Sequence, residues 1–523
     1  MYKLVTAAPE SITESARSRG QQAKRRQPRR WLRVTLILAG AAMSAVLLLL
    51  VQNWPFARGK VIADLEEALH AKVEIGKFHQ TYFPYPGCVA QDVTVSHDGN
   101  LLNPTHITIR KLIIQGSFRG LFVKHVPVIR AEGLHVAAQG ANAFADWAQN
   151  KGHLKTVVDE FVAVGSVLEF LPGADRPALK FEIPALVLRN PGTNRAKWFE
   201  TTLRNPQPPG EVHASGYLGP WQKDHPAETP ISGSYSFRHA DLGVFHGIAG
   251  ILSSDGSFGG TLQQLEIKGK TETPDFEVTR AGHKIGLATQ FRARVDGKSG
   301  DVALEQVTAR LGGSTVNAQG NVAATPGEKG KVASLELMLG EGRIQDFLFL
   351  FLRDQIVPMT GRFSFEGKAT LPPETEPFLQ RIELQGDFGV GAAHLSNPAT
   401  QAHLEELSER AEAEKDDAPE SVVSDLKGHV ILREGTATFS NLSFSVPGAV
   451  ARLHGTYSLI TRKINLRGKV LMKANLPQAT SGVKSFLLKI INPLLKKNHH
   501  GGAVVPVQVT GIYPHPIYKT DPI

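Results

Sequence analysis

The chain has 523 residues, a net charge of +9 and one cysteine, Cys88. That length exceeds a single ordinary core, and a lone cysteine excludes an internal disulfide and any Cys-based zinc site. Part of the positive charge sits in one N-terminal run, and no dense basic patch interleaved with aromatics follows it, so the footprint of a nucleic-acid partner is missing.

Residues 1–23 are polar and poor in large apolar groups, a composition that does not bury a core. Lys24, Arg25, Arg26, Arg29, Arg30 and Arg33 follow, and then an uncharged run, Val34–Val51, rich in Leu and Ala. Eighteen helical residues rise about 27 Å, close to the thickness of a bilayer's hydrocarbon. Trp31 and Trp54 bracket the run, where interfacial aromatics belong, and the preceding cations place the N-terminus in the cytoplasm. A cleavable signal peptide is the competing reading. The small residues Ala39–Ala45 lie in mid-run, however, with Val46–Val51 after them, which favours an uncleaved anchor.

Beyond the anchor, Val61–Leu69 reads as a short amphipathic helix, and Val73–Phe78 begins strand-like alternation. Tyr82-Phe83-Pro84-Tyr85-Pro86-Gly87 is a turn cluster. Val93–Val95 and Ile107–Ile109 are strand candidates. Gly120–Val123 leads into Val126–Ile129, and Leu134–Val136 follows. From about 150 to 395 strand-like runs alternate with Gly, Pro, Asn and Asp turns. The main exception is Arg343–Gln355, an apolar helix too short to span a bilayer. It reads as a helix packed on a sheet end or a plug facing lipid. Residues 401–418 form a charged surface helix. Strands resume from Gly428 to about Met472, Val483–Leu495 is a second apolar helix, and Val504–Gly511 is the last strand candidate.

One phrase recurs along the chain: apolar, polar, apolar, polar, Gly. It occurs at Val212–Gly216, Leu265–Gly269, Val316–Gly320, Phe363–Gly367, Ile382–Gly386, Ala451–Gly455, Ile464–Gly468 and Val507–Gly511. Period-2 alternation gives each strand one apolar face, and an interior glycine marks a bulge or bend. The spacing is irregular, which excludes a fixed-period solenoid. The expected fold class is therefore mainly β: a transmembrane helix, then one long, curved, mostly antiparallel sheet with a few short helices.

No catalytic constellation accompanies these strands. Asp296-Gly297-Lys298-Ser299 ends like a P-loop, but the required first glycine is Arg292. There is no H-E-x-x-H and no G-x-S-x-G. His499-His500 reads as a surface pair, His394 and His403 lack other ligands at metal spacing, and Cys88 reads as a buried, inert thiol. The expectation is no enzyme, no metal and no cofactor.

Several segments resemble the AsmA-like family of envelope proteins. At the N-terminus these are the anchor helix, Ala68–Phe78, the Pro-Gly turn and Asp92–Val95. Toward the C-terminus they are Asn397-Pro398, Leu407–Ala411, Phe439–Phe444, Pro447–Ala449, Leu453–Tyr457, Val505–Gly511 and Pro516. Together they cover about the first third and the last quarter of the chain. The resemblance implies an inner-membrane protein with its body in the periplasm and a U-shaped groove lined by apolar side chains. It also implies phospholipid as the partner and a role in lipid transport or outer-membrane assembly, with an envelope protein at the distal end. The boundaries are a cytoplasmic basic tail at 1–30, an anchor at 31–54, an N-terminal AsmA-like region at 55–150, a central β-groove at 151–395 and a C-terminal AsmA-like region at 396–523. Groove candidates are Ile382, Leu384, Ile464, Leu466, Val470, Met472, Val507 and Val509. The alternative is an envelope scaffold that carries no lipid.

Overall fold

Alternating apolar and polar residues let a strand hide one face and solvate the other, and this chain does so repeatedly. The computed structural model describes residues 43, 54–69, 71–96, 106–123, 125–139, 157–171, 178–191, 195–222, 225–325, 330–353, 357–373, 376–395, 424–446, 449–472 and 504–519. The first strands are β1 (Lys72–Thr81), β2 (Gly87–Ser96), β3 (His106–Gln115), β4 (His125–Gln139), β5 (Val157–Leu171), β6 (Leu179–Arg189), β7 (Lys197–Pro206) and β8 (Pro209–Leu218). Then come β9 (Pro230–Asp241), β10 (Ile248–Ala249), β11 (Ile251–Thr261), β12 (Gln264–Val278), β13 (Ile285–Asp296), β14 (Val302–Leu311), β15 (Ser314–Ala324) and β16 (Lys331–Arg343). The last are β17 (Met359–Leu371), β18 (Glu383–Leu395), β19 (Ser424–Arg433), β20 (Thr436–Val446), β21 (Ala449–Ser458), β22 (Lys463–Met472), β23 (Val504–Ile512) and β24 (His515–Lys519). Among the described residues the α-helical segments are α1 (Arg58–Leu69), ahead of β1, and α2 (Gly120–Val123), α3 (Ile344–Phe351) and α4 (Phe378–Arg381), between strands.

The strands form one 24-stranded sheet. Each pairs with its successor in antiparallel fashion, with two departures. β4 and β5 run parallel, joined through residues outside the described set. β9 pairs directly with β11, and the two-residue β10 adds to β12. Residues 56–523 form one compact unit. Among the described residues no helix is long and apolar enough to cross a membrane. The anchor run Val34–Val51, apart from Met43, lies outside them, as do the expected helices at 401–418 and 483–495.

Some local expectations change. Gly120–Val123, the segment leading into Val126–Ile129, is a helical turn, because the Ser117 hydroxyl accepts the Gly120 N–H (3.0 Å) and the Ser117 carbonyl accepts the Leu121 N–H (3.1 Å). Val126–Ile129 and Leu134–Val136 both lie in β4. The helix expected over Arg343–Gln355 is α3, ending at Phe351, where the Leu352 N–H closes the last turn on the Leu348 carbonyl.

Candidate functional site

The recurring five-residue phrase lands on strands, and the register stacks its copies side by side. In β22, Ile464 lies between Tyr457 and Gly511, Leu466 between Gly455 and Val509, and Val470 between Ala451 and Val505. Gly468 lies between Leu453 and Val507. Direct cross-strand partners share a face, so Ile464, Leu466, Val470, Val507 and Val509 are brought together. Leu384 is on the same face further round, between Ala369 and Leu432. Ile382 is outside its strand: it closes α4, donating its N–H to the Phe378 carbonyl (2.9 Å). The backbone of Met472 pairs with Ala449 in β22, and its side chain is outside the described set.

Over the middle of the sheet Ala293, Leu339 and Ala369 of this inner face are buried, but several of its larger apolar residues are not. Leu265, Ile267, Phe291, Leu304, Leu337 and Phe365 are all half-buried. In a two-sheet sandwich such residues would be covered by the facing sheet. The outer face is charged and cross-linked by ion pairs, among them Arg238 with Asp255 (2.6 Å), Arg204 with Glu182 (3.2 Å) and Lys368 with Glu336 (3.3 Å). Asp255 ionises below the usual carboxylate range because the Arg238 guanidinium donates to it. Each side thus suits a different solvent: water outside, something apolar inside.

The glycine of the phrase falls on the inner face, at the inside of the bend. A Cβ on Gly468 would meet the Arg452 carbonyl oxygen at 2.0 Å. At Gly455 it would meet the Asn465 carbonyl oxygen at 2.0 Å, on a backbone with φ +142° that L side chains rarely adopt. Rings lie over other bare positions. Tyr235 covers Gly256 and Gly269, and Phe365 covers Gly367 and Gly386. The glycines therefore permit the curvature, and neighbouring rings keep the floor apolar.

The inner face is closed in two places. Near the N-terminus, Val73, Ile75, Cys88, Val93, Leu112 and Ile114 are fully buried, and α1 lies against β1 through Arg58 Nη2 to the Ile75 carbonyl (2.7 Å) and Val73 N–H to Glu66 Oε1 (3.0 Å). Further on, α3 fills space between two walls of the curved sheet. Ile344 and Leu348 pack with Val390, Ala451, Leu453, Val470 and Val507. Phe347, Leu350 and Phe351 pack with Val278, Leu311 and Leu379. Val470 and Val507, each 7% exposed, are therefore covered by protein, whereas Ile464, Leu466 and Val509 stay half-exposed. Asp346 fixes the helix: its Oδ2 accepts from Gly313 N–H (3.0 Å), Ser314 Oγ (2.8 Å) and Arg343 Nε (3.2 Å).

Curvature is strong enough to bring distant turns together. Arg280, after β12, donates to the Ile460 carbonyl (2.7 Å) between β21 and β22. Nine strand spacings separate those turns, about 43 Å in a flat sheet. The Phe378 N–H of α4 likewise reaches the His246 carbonyl (2.9 Å). Sequence reasoning found the faces but missed these contacts. An acidic residue in the first turn of α3 signals a helix start, but nothing local announces a partner 180 residues away.

Other candidates resolve simply. Cys88 is 1% exposed, and burial pushes its thiol up to about 12, so it has little thiolate at neutral pH. Asp296 and Ser299 belong to the β13–β14 turn, where Asp296 Oδ1 accepts the Lys298 (2.8 Å) and Ser299 (2.7 Å) N–H groups. Among the described residues no three His, Cys, Asp or Glu side chains gather as metal ligands. Comparison with models of known families and with curated proteins finds no match for this chain.

Proposed function

We propose that the chain is an AsmA-like envelope protein that holds phospholipid acyl chains along the inner face of its sheet. In this reading the run Val34–Val51 anchors it in the inner membrane, the body lies in the periplasm, and it supports lipid transport or outer-membrane assembly without catalysing a reaction. The observation that carries the proposal is the half-buried state of Leu265, Ile267, Phe291, Leu304, Leu337 and Phe365 on the inner face. An acyl chain laid there gains about 0.8 kcal/mol per methylene removed from water, and such gains need no special residue. That accounts for a site with a face but no motif.

Leu384, Ile464, Leu466 and Val509 are the contacts assigned to lipid. Val470 and Val507 are buried in the cluster that includes Ile344, and Ile382 terminates α4. The test is to purify the full chain in mild detergent, extract it and identify bound lipid by mass spectrometry, with photoreactive phospholipid as a second arm. Stoichiometric phospholipid cross-linked to inner-face peptides supports the conduit. A well-folded protein with no bound or cross-linkable lipid refutes it and leaves the scaffold reading.

A further inference from the structure

The turn between β1 and β2 presents Tyr82, Phe83 and Tyr85 with 52%, 85% and 58% of their surface exposed. Phe118, just beyond β3, is 53% exposed. Among the described residues, both exposed phenylalanines and two of the three exposed tyrosines are these four. They converge through register. Thr81 opposes Gly87, Gly87 opposes Gln115, and the Gly116 N–H donates to the Pro86 carbonyl (2.7 Å). Both loops therefore stand at one end of three neighbouring strands, with the exposed Arg119 beside Phe118.

Chain continuity ties this end to the apolar run by a short length of chain. Phe56 is buried against Gly116, so closely that a Cβ there would lie 2.6 Å from its ring and 2.9 Å from the Pro86 carbonyl oxygen. Phe56 follows the apolar run Val34–Val51 by five residues, which span at most about 18 Å. Tyrosine and phenylalanine gain where an apolar body meets a wet boundary. An exposed cluster of four such rings otherwise marks an interaction surface.

We propose that Tyr82, Phe83, Tyr85 and Phe118 form a tip that inserts into the interfacial layer of the bilayer holding the anchor, with Arg119 facing lipid phosphates. The tip would fix the sheet's first strands against the membrane rather than leave them swinging on a tether. The proposal rests on the membrane-anchor reading above, and the two are separable by experiment. Full-length Phe83→Cys is labelled with an environment-sensitive fluorophore, the buried Cys88 staying unlabelled, and reconstituted into vesicles of phosphatidylethanolamine and phosphatidylglycerol. Phe118→Cys serves as a second tip position and Ile517→Cys, in β24, as a distal control. Circular dichroism checks the strand content of each variant. The expected result is a severalfold rise and blue shift in emission at both tip positions, with quenching by lipids spin-labelled near the headgroup and no change at Ile517. Tip probes that remain aqueous while the protein floats with vesicles overturn the tip and leave the anchor standing. Failure to float overturns both. Shielding that requires a second labelled copy, read by energy transfer between chains, makes the tip an oligomer contact and overturns the membrane assignment.

Discussion

Leu466 and Val470 occupy the same face of the same strand, four residues apart, and a carboxylate at each should fail in a different way. Leu466 is half-exposed between Gly455 and Val509, so Leu466→Asp forfeits about half of a buried leucine's contribution, about 1 kcal/mol, and its charge remains hydrated in the empty protein. With lipid present, that charge removes apolar contact from about three methylenes, about 2.4 kcal/mol, or about fiftyfold in occupancy. Val470 is 7% exposed within the apolar cluster that includes Ile344. Val470→Asp buries an unpaired charge whether lipid is present or not, and costs about 4 kcal/mol or more. The assay pairs thermal unfolding with lipid occupancy by mass spectrometry. Leu466→Asp should melt nearly as wild type and lose its lipid, whereas Val470→Asp should lose cooperative unfolding around α3. If Leu466→Asp keeps both its fold and full occupancy, lipid does not lie on that floor.

Three further outcomes depend on the bend, the brace of α3 and the outer charges. Gly468→Ala, whose new carbon would sit 2.0 Å from a backbone oxygen, should destabilise by about 1–3 kcal/mol, while Gly340→Ala, with nothing within 4 Å, should not; denaturant midpoints compare them. Asp346→Ala leaves the Gly313 N–H and the buried Ser314 hydroxyl without their acceptor, at a cost of about 3 kcal/mol, and amide exchange at Gly313 should speed up accordingly. Asp255, depressed by Arg238, adds stability above the ordinary carboxylate pKa of the unfolded chain and loses it as pH falls through its lower folded value. Asp255→Asn should flatten that acid limb in a melting-temperature profile.

Strand content and face assignment were legible because period-2 alternation is a local code. Val73–Phe78, Val93–Val95 and Val504–Gly511 all fall within strands. The glycine phrase gave the curvature for the same reason: each copy carries its own bend. What escaped was whatever depends on the sum of those bends. Whether Val470 is exposed or buried in the cluster with Ile344 and Val390 is decided by how strands distant in sequence come together, and no window around Val470 contains that information. Ile382 illustrates a smaller limit. It fits the apolar position of the phrase, but Phe378–Arg381 forms a helical turn first and takes Ile382 as its last hydrogen-bond donor. Half the groove candidates stand on the open floor for reasons readable in sequence. Val470 and Val507 differ from them only in tertiary surroundings.

The inner-face glycines bear on which reading of the sheet is physically economical. A packed core penalises missing side chains, at about 1 kcal/mol for each methyl-sized void, so a sandwich has no reason to set glycine opposite glycine on its buried side. Here Gly216 opposes Gly233, Gly256 opposes Gly269, and Gly367 opposes Gly386. These pairs let the sheet turn sharply without side chains colliding on the inside of the curve. Where rings such as Tyr235 and Phe365 do fill the space, they come from positions beside the glycines. The result is a strongly bent sheet whose concave side is apolar yet thinly furnished. Among the described residues α3 is a helix that packs on that side, and α1 lies against β1 at one end. Between them Leu265, Ile267, Phe291, Leu304 and Leu337 stay half-buried, whereas Val278 and Leu311 on the same strands lie in the cluster with α3.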